Sequence, residues 1–395
     1  MSEKLNDVAT RSFRNSFGKA PRWIASAPGR VNLIGEFTDF NGGYVLPMAI
    51  EQRTVIAAAP NGSQTILMRS GANANEMRVN VSVALTADPV GSWSNYPKGV
   101  IDGFRHLGAV GEGFDAQVFS TVPIGAGLSS SAALAAATAT LLEKVWGRSL
   151  DPLQKARLCQ KAEHEYAGVP CGIMDPYISA CGRADQLLLL DCESEVPAWI
   201  AFDDPAVTVL VVNTKVRHQL DDGAYGERRA RCESAARALG VPTLRSATFE
   251  GLSRSADRMD EMTARCARHV IGEIDRTLRA AQCARERQWE RLGELMYASH
   301  ESLRANIEVS CPELDAIVDS ARQLGNRGGV FGCRMTGGGF GGCAVALIKS
   351  SKQESIGEQI GAMYMRNFGI DPGIFVSRPA AGAAVEERNT SEAAD

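Results

Sequence analysis

The amino-acid sequence predicts a soluble protein of mixed helices and strands, large enough for two domains. Three observations lead there. Residues 23–59 alternate short apolar runs with the turns PGR, DFNGG and EQ, which is the pattern of strands and tight turns. Residues 125–132, GAGLSSSA, stand between the β-branched run FSTVP and the alanine-rich run ALAAATATLL, an order that reads as strand, glycine loop and helix. Residues 245–310 are highly charged and largely helical in pattern. With 395 residues, 45% of them hydrophobic, the chain can bury a large core, and its length favours two domains.

Composition excludes several classes of function. A net charge of -4 gives no general attraction to nucleic acid or membrane, so neither is an expected partner. An anionic ligand must be held by local loops and helix dipoles. No apolar run is long enough to cross a bilayer, and the start, MSEKLNDVATRSFRNSF, lacks the apolar core of a signal peptide, so the expected location is the cytoplasm. The ten cysteines sit mostly in apolar runs such as LLLLDC and GGCAVAL, none with CxxC spacing, and read as buried reduced thiols. HExxH and GxSxG are both absent.

In chain order, residues 1–20 are polar and read as a loose arm or short helix. Arg30, Glu36 and Asp39 then lie close together in apolar surroundings, where charge is costly unless paired or used. They read either as a salt bridge and turn cap or as a grip on the hydroxyls of a small ligand such as a sugar. Residues 64–90 look like further strands. Residues 92–107 turn helical after Pro97, with Trp93 and Tyr96 just before the helix as packing aromatics or a flat wall for adenine.

In the glycine loop, Gly125 and Gly127 let backbone come close, and Ser129, Ser130 and Ser131 offer hydroxyls at a helix start. Phosphate with Mg2+, or a plain helix cap, would suit that arrangement. Asp151 caps a helix that ends at Gly168, and Glu163 on its last turn is either solvated or neutralised by a cation. Asp175 sits among apolar residues beside Pro176 and needs an arginine partner or a task. QLLLLDC and AVTVLVVN read as buried strands, Tyr225–Leu239 as a helix, and CPELDAIVDSARQLG as an amphipathic helix. CRMTGGGFGGCAVALI is a second glycine loop running into a strand, with Gly337, Gly338 and Gly339 relaxed for close approach to a ligand or another segment. The Ala-, Glu- and Ser-rich tail after Arg378 reads as disordered.

Taken together, APGRVNLIGE, GAGLSSSA and MTGGGFGGCAVAL resemble the GHMP family of small-molecule kinases. Within it, APGRVNLIGEFTDFNGGYVLPMAI, SNYPKGV, AEHEYAGVPCGIMD, DGAYGERRARCE and RMTGGGFGGC are similar to the galactokinase group in the same order, from about Pro21 to Arg378. The resemblance implies an α+β architecture, the GHMP kinase fold, in which an N-terminal domain like the ribosomal S5 second domain and a C-terminal ferredoxin-like α/β domain form a cleft. The implied boundaries are an arm over 1–20, domains over 21–205 and 206–378, and a tail over 379–395.

The implied activity is ATP-dependent phosphorylation of a sugar at its anomeric hydroxyl with Mg2+, with D-galactose the leading substrate. Asp175 would be the catalytic aspartate and Arg30 its partner. Glu36, Phe37, Asp39, Gly172 and Tyr225 would line the sugar. Trp93 and Tyr96 would face adenine, the loop Gly125, Gly127, Leu128, Ser129, Ser130 and Ser131 would hold the phosphates, and Ser131 with Glu163 would hold the metal. Oligomeric state is not readable from the chain.

The chain departs from the group at three places. Phe37 and Phe40 stand where the group has histidine and tyrosine, and Pro176 occupies a usually polar position. In the group that histidine lies near the C6 hydroxyl, so a sugar less polar at that end, L-arabinose or a 6-deoxy hexose, is the alternative substrate. A non-catalytic sugar sensor is a further alternative, and such sensors lose part of the serine loop, which is intact here.

Overall fold

The computed structural model describes residues 2–217 and 221–388. The strands are β1 (Trp23–Asn32), β2 (Tyr44–Val45), β3 (Pro47–Pro60), β4 (Thr65–Ser70), β5 (Asn73–Asn80), β6 (Phe114–Ser120), β7 (Gln186–Asp191), β8 (Val196–Ala201), β9 (Val207–Arg217), β10 (Val330–Thr336), β11 (Gly341–Lys349), β12 (Gly373–Ser377) and β13 (Ala384–Glu387). The helices are α1 (Ser2–Phe17), α2 (Asn95–His106), α3 (Ser130–Trp146), α4 (Pro152–Ala162), α5 (Met174–Cys181), α6 (Asp221–Leu239), α7 (Phe249–Arg254), α8 (Glu261–Arg285), α9 (Trp289–Ser302), α10 (Pro312–Gly328) and α11 (Gln353–Phe368).

A six-stranded sheet in the order β13-β1-β3-β6-β4-β5 carries the N-terminal half, antiparallel except where β4 runs beside β6. Its two faces are covered by different means. On one, α1 buries Ala9 and Phe13 against Ile24, Val55 and Ala57. On the other, α3 buries a run of alanines against Ala25, Ala27, Ala58 and Ala116. Small side chains on both surfaces bring that helix, and the loop that starts it, close to the sheet.

The C-terminal half is built on the antiparallel sheet β10-β11-β9-β12, and a small third sheet joins β2 to β7 and β8. Alternation along β9 and β11 gives each of them two buried faces. Leu210, Val212, Ala344 and Ala346 pack with α8 and α10 residues, while Val209, Val211, Val345 and Leu347 share one core with Val31, Leu33, Ile34 and Met48 from the first half. That shared core sets the two halves against each other directly beneath the site described below.

The arm takes its helical alternative, a 16-residue helix, because Phe13 and Ala9 give it an apolar stripe. One expectation changes: the tail is ordered through Arg388. Ala380 N–H bonds to Ala49 O (2.9 Å), Gly382 N–H to Gly182 O (2.7 Å), and Ala384–Glu387 pairs antiparallel with Trp23–Ser26. Without that strand β1 would be an edge with open hydrogen-bonding groups. The remainder of the expected disordered tail, 389–395, lies outside the described residues.

Cutting the chain after Arg378 removes β13 and is expected to lower Tm by several degrees, on the order of 1 kcal/mol or more of lost stability. Cutting after Arg388 is expected to leave Tm unchanged. Equal Tm values for the two truncations would contradict the pairing.

Candidate active site

The site begins at an irregularity in β1. Its register against β3 shifts between Pro28 and Arg30, and the backbone there meets the glycine loop: Arg30 N–H donates to Leu128 O at 3.1 Å. The Arg30 side chain is 5% exposed and forks. Nε and Nη2 donate to the two oxygens of Asp175 at 2.7 and 2.6 Å, and Nη1 donates to Gly127 O at 2.5 Å. Asp175 is half-buried in the first turn of α5, where the helix dipole favours a negative charge. Pro176 follows in that same turn, where a missing N–H breaks no helical bond.

Ser129 starts α3 in a left-handed conformation, φ 57°, and its hydroxyl makes no capping bond. It donates to Asp175 Oδ2 instead. The cap interpretation of the loop therefore fails at Ser129. Leu128 is buried in the core between the halves, leaving only its backbone to the loop. Ser130 and Ser131 lie half-buried in the first turn of α3.

Ser131 lies close to Glu163, which opens a π-helical turn, Glu163–Ala167, at the end of α4. Glu163 is 3% exposed, burial pushes its carboxyl up to about 6, and its Oε1 has no hydrogen-bond partner among the described residues. A buried carboxylate oxygen left open beside a hydroxyl is a fitting donor set for a hard divalent cation such as Mg2+.

Asp39 sits half-buried near Asp175, its Oδ1 accepting from Phe40 N–H at 2.9 Å. Burial, and then the charge of Asp175, push its carboxyl up to about 6. A Cβ on Gly172 would stand 1.7 Å from Asp39 Oδ2, so only glycine leaves room for that carboxylate. Tyr225 borders the same region from α6, within reach of Gly338.

Glu36 and Phe37, both expected to line the sugar, are buried. Glu36 is 2% exposed and already has four donors: Asn32 Nδ2 (2.6 Å) and Arg334 Nη1 (2.7 Å) to Oε2, Gly337 N–H (2.8 Å) and Thr336 Oγ1 (3.1 Å) to Oε1. Phe37 is 4% exposed, its ring 5.4 Å from Tyr225 and edge-on to Phe40 and His269. His269, held near a pKa of about 4 by burial, donates from Nε2 to Glu36 O at 3.1 Å. Sequence reasoning missed both Arg334 and His269. A charged residue in the apolar run preceding MTGGG was a usable signal for Arg334; His269 on an amphipathic helix carried none.

The second glycine loop approaches the first at Gly337. A Cβ on Gly337 would stand 2.8 Å from Gly127 O. Trp93 and Tyr96 are half-buried at the start of α2, the Trp93 indole N–H donating to Asn75 O at 3.2 Å. That helix packs on α3 and on the Glu163–Ala167 turn.

Known proteins match this chain along its length. The galactokinase galactose-binding signature matches residues 11–60, the GHMP kinases N terminal domain residues 95–183, and the GHMP kinases C terminal domain residues 277–365. Galactokinase of Bos taurus is 44% identical over 362 residues, covering 90% of this chain and 91% of that one. The chain belongs to the galactokinase family. Galactokinase of Homo sapiens is 43% identical over 383 residues, covering 95% of each chain. The crystal structure of Lactococcus lactis galactokinase complexed with galactose matches with a TM-score of 0.89 at 29% identity, over 96% of this chain and 99% of that one. A mevalonate kinase, at TM-score 0.65 and 21% identity, shares the fold.

In this galactokinase-family site, Asp39 and Glu163 both have carboxyls raised to about 6 from ordinary values of 3.8 and 4.5. Raised carboxyls favour the folded state at low pH, and that contribution is lost as pH rises through about 6. Asp39→Asn and Glu163→Gln are therefore expected to raise Tm of the ligand-free protein at pH 7, with the gain vanishing below about pH 4. Variants melting below wild type at pH 7 would contradict the assigned burial.

Proposed function

We propose that this protein transfers the γ-phosphoryl group of ATP to the anomeric hydroxyl of D-galactose, giving galactose 1-phosphate and ADP. The observation that carries the reading is the Arg30 fork, which joins the Asp175 carboxylate to the carbonyl of Gly127 in the phosphate loop. One side chain thus links the group facing the acceptor hydroxyl to the loop that cradles the donor.

Asp175 accepts the hydrogen bond of the anomeric hydroxyl, and Arg30 and Ser129 hold its two oxygens in place. A sugar hydroxyl is a far weaker acid than this carboxylate's conjugate acid. Its proton therefore moves only as the bond to phosphorus forms, and positioning and electrostatics supply most of the acceleration. Asp39 and Tyr225 face the sugar, and Gly172 keeps the space for Asp39. Trp93 and Tyr96 offer aromatic faces for adenine. Ser131 and Glu163 would hold Mg2+, whose chemistry is to neutralise charge on the phosphate oxygens. The ten cysteines are free thiols, which supports action in the reducing cytoplasm.

The two halves that meet here are residues 21–205, completed by the returning strand β13, and residues 206–378. An intact serine loop in contact with Asp175 favours an enzyme over a sensor.

Asp175→Asn and Arg30→Ala are each expected to lower kcat by on the order of 10²-fold or more in a coupled ADP-release assay with galactose. Near-normal turnover in either would contradict the roles given. Glu163→Gln is expected to raise the Mg2+ concentration for half-maximal activity by about tenfold or more, and an unchanged requirement would remove Glu163 from the metal site. In the same assay 6-deoxygalactose and L-arabinose test whether the Phe37 and Phe40 substitutions change the sugar preference; a strong preference for galactose is the expected result.

A further inference from the structure

The residues that follow β12 run back across the molecule to the helix that carries Asp175. That helix, α5, spans only eight residues, too few to hold a direction without tertiary partners. At its start Asp175 is held by Arg30 and Ser129. In its middle the buried Ser179 hydroxyl donates to Pro28 O at 2.7 Å, beside the irregularity in β1 that places Arg30. At its end the carbonyls of the last turn have no helical partner. Two of the carbonyls there are met by the returning chain: Ala180 O accepts from Ala383 N–H at 3.1 Å, and Gly182 O, just past the helix, accepts from Gly382 N–H at 2.7 Å.

The contact is built for close approach. Gly382 is buried, and a Cβ there would stand 2.6 Å from Gly182 N and 2.7 Å from Ala180 O, both backbone atoms that cannot turn aside. Arg53 of β3 holds the same residues by their carbonyls. Its Nη1 donates to Ala381 O at 2.8 Å and its Nη2 to Gly382 O at 2.6 Å, while Nε donates to Ser26 Oγ at 3.2 Å. The donors of a guanidinium point in fixed directions, so two adjacent carbonyls taken by its two terminal nitrogens are fixed against the sheet.

We propose that Gly382 and Arg53 are positioning residues, which seat segment 379–383 against the last turn of α5 and so hold Asp175 in its fork with Arg30. The kinetic readout rests on the sugar-kinase reading; a second readout, hydrogen exchange of α5, does not. Wild type, Gly382→Ala, Arg53→Met and Phe13→Leu are compared well below the lowest Tm among them. Phe13 of α1 packs with Ile24, Val55 and Ala57 in a core that contains no α5 residue, so its variant loses stability without touching the contact. Gly382→Ala and Arg53→Met are each expected to lose about fivefold or more in kcat while KM for galactose and for ATP moves by less than about threefold. In both, the amides of residues 177–182 are expected to exchange about tenfold or more faster, whereas Phe13→Leu stays within about twofold of wild type in kcat and in that exchange.

A kcat within about twofold of wild type in Gly382→Ala overturns the proposal. So does an equal loss in Phe13→Leu, which would make the effect one of overall stability. A rise of about tenfold or more in either KM with kcat unchanged would assign these residues to substrate binding and overturn it too. Should Gly382→Ala not fold, Arg53→Met decides on the same two readouts. Wild type that does not phosphorylate galactose defeats the sugar-kinase reading, and hydrogen exchange then decides the contact separately: unchanged protection of residues 177–182 in Gly382→Ala and Arg53→Met overturns it.

Discussion

A single guanidinium, that of Arg30, makes the hydrogen bonds on which the rest of the site depends. It is almost wholly buried, and a buried charge is tolerable only with its donors engaged. Asp175 takes two of its N–H groups and Gly127 O a third. Those two partners come from segments about 50 residues apart in sequence, so the fork fixes α5 relative to the phosphate loop. A planar guanidinium can do this because its donors point in fixed directions. The shift in β1 register and the contact of Arg30 N–H with Leu128 O put the side chain where all three bonds form together.

Behind that fork the two halves of the chain meet across a shared core. Val31, Leu33 and Met48 share an apolar core with Val209, Val345 and Leu347, and the two glycine loops touch backbone to backbone at Gly127 and Gly337. Any side chain at Gly337 would push the phosphate loop away from Arg30. Asp39 and Glu163, the carboxylates proposed above to meet the sugar and a cation, are the ones whose burial raises them to about 6. The ligand-free fold is less stable at neutral pH for keeping them.

Much of this was legible in the sequence, and the reasons are local. Arg30 and Asp175 stood out as charges inside apolar runs, and GAGLSSSA carried its strand-loop-helix order within a few residues. What was not legible depends on residues far apart in the chain. Glu36 and Asp39 look alike on paper. They differ because Arg334, about 300 positions later, lands on one and not on the other. Phe37, expected against the sugar, packs among Tyr225, Phe40 and His269, neighbours brought to it by α6 and α8. The returning strand Ala384–Glu387 has a composition that suits a disordered tail, and only the open edge of β1, some 360 residues upstream, gives it a partner.

The central claim is that the geometry of the Arg30 fork, rather than its charge alone, aligns Asp175 with the phosphate loop. Arg30→Lys tests it most directly, since an ammonium keeps the charge and cannot reach Asp175 and Gly127 O in the same forked arrangement. In steady-state ADP release with galactose, kcat is expected to fall by about tenfold or more with galactose KM changed by less than about threefold. Turnover by Arg30→Lys at the wild-type rate would contradict the account.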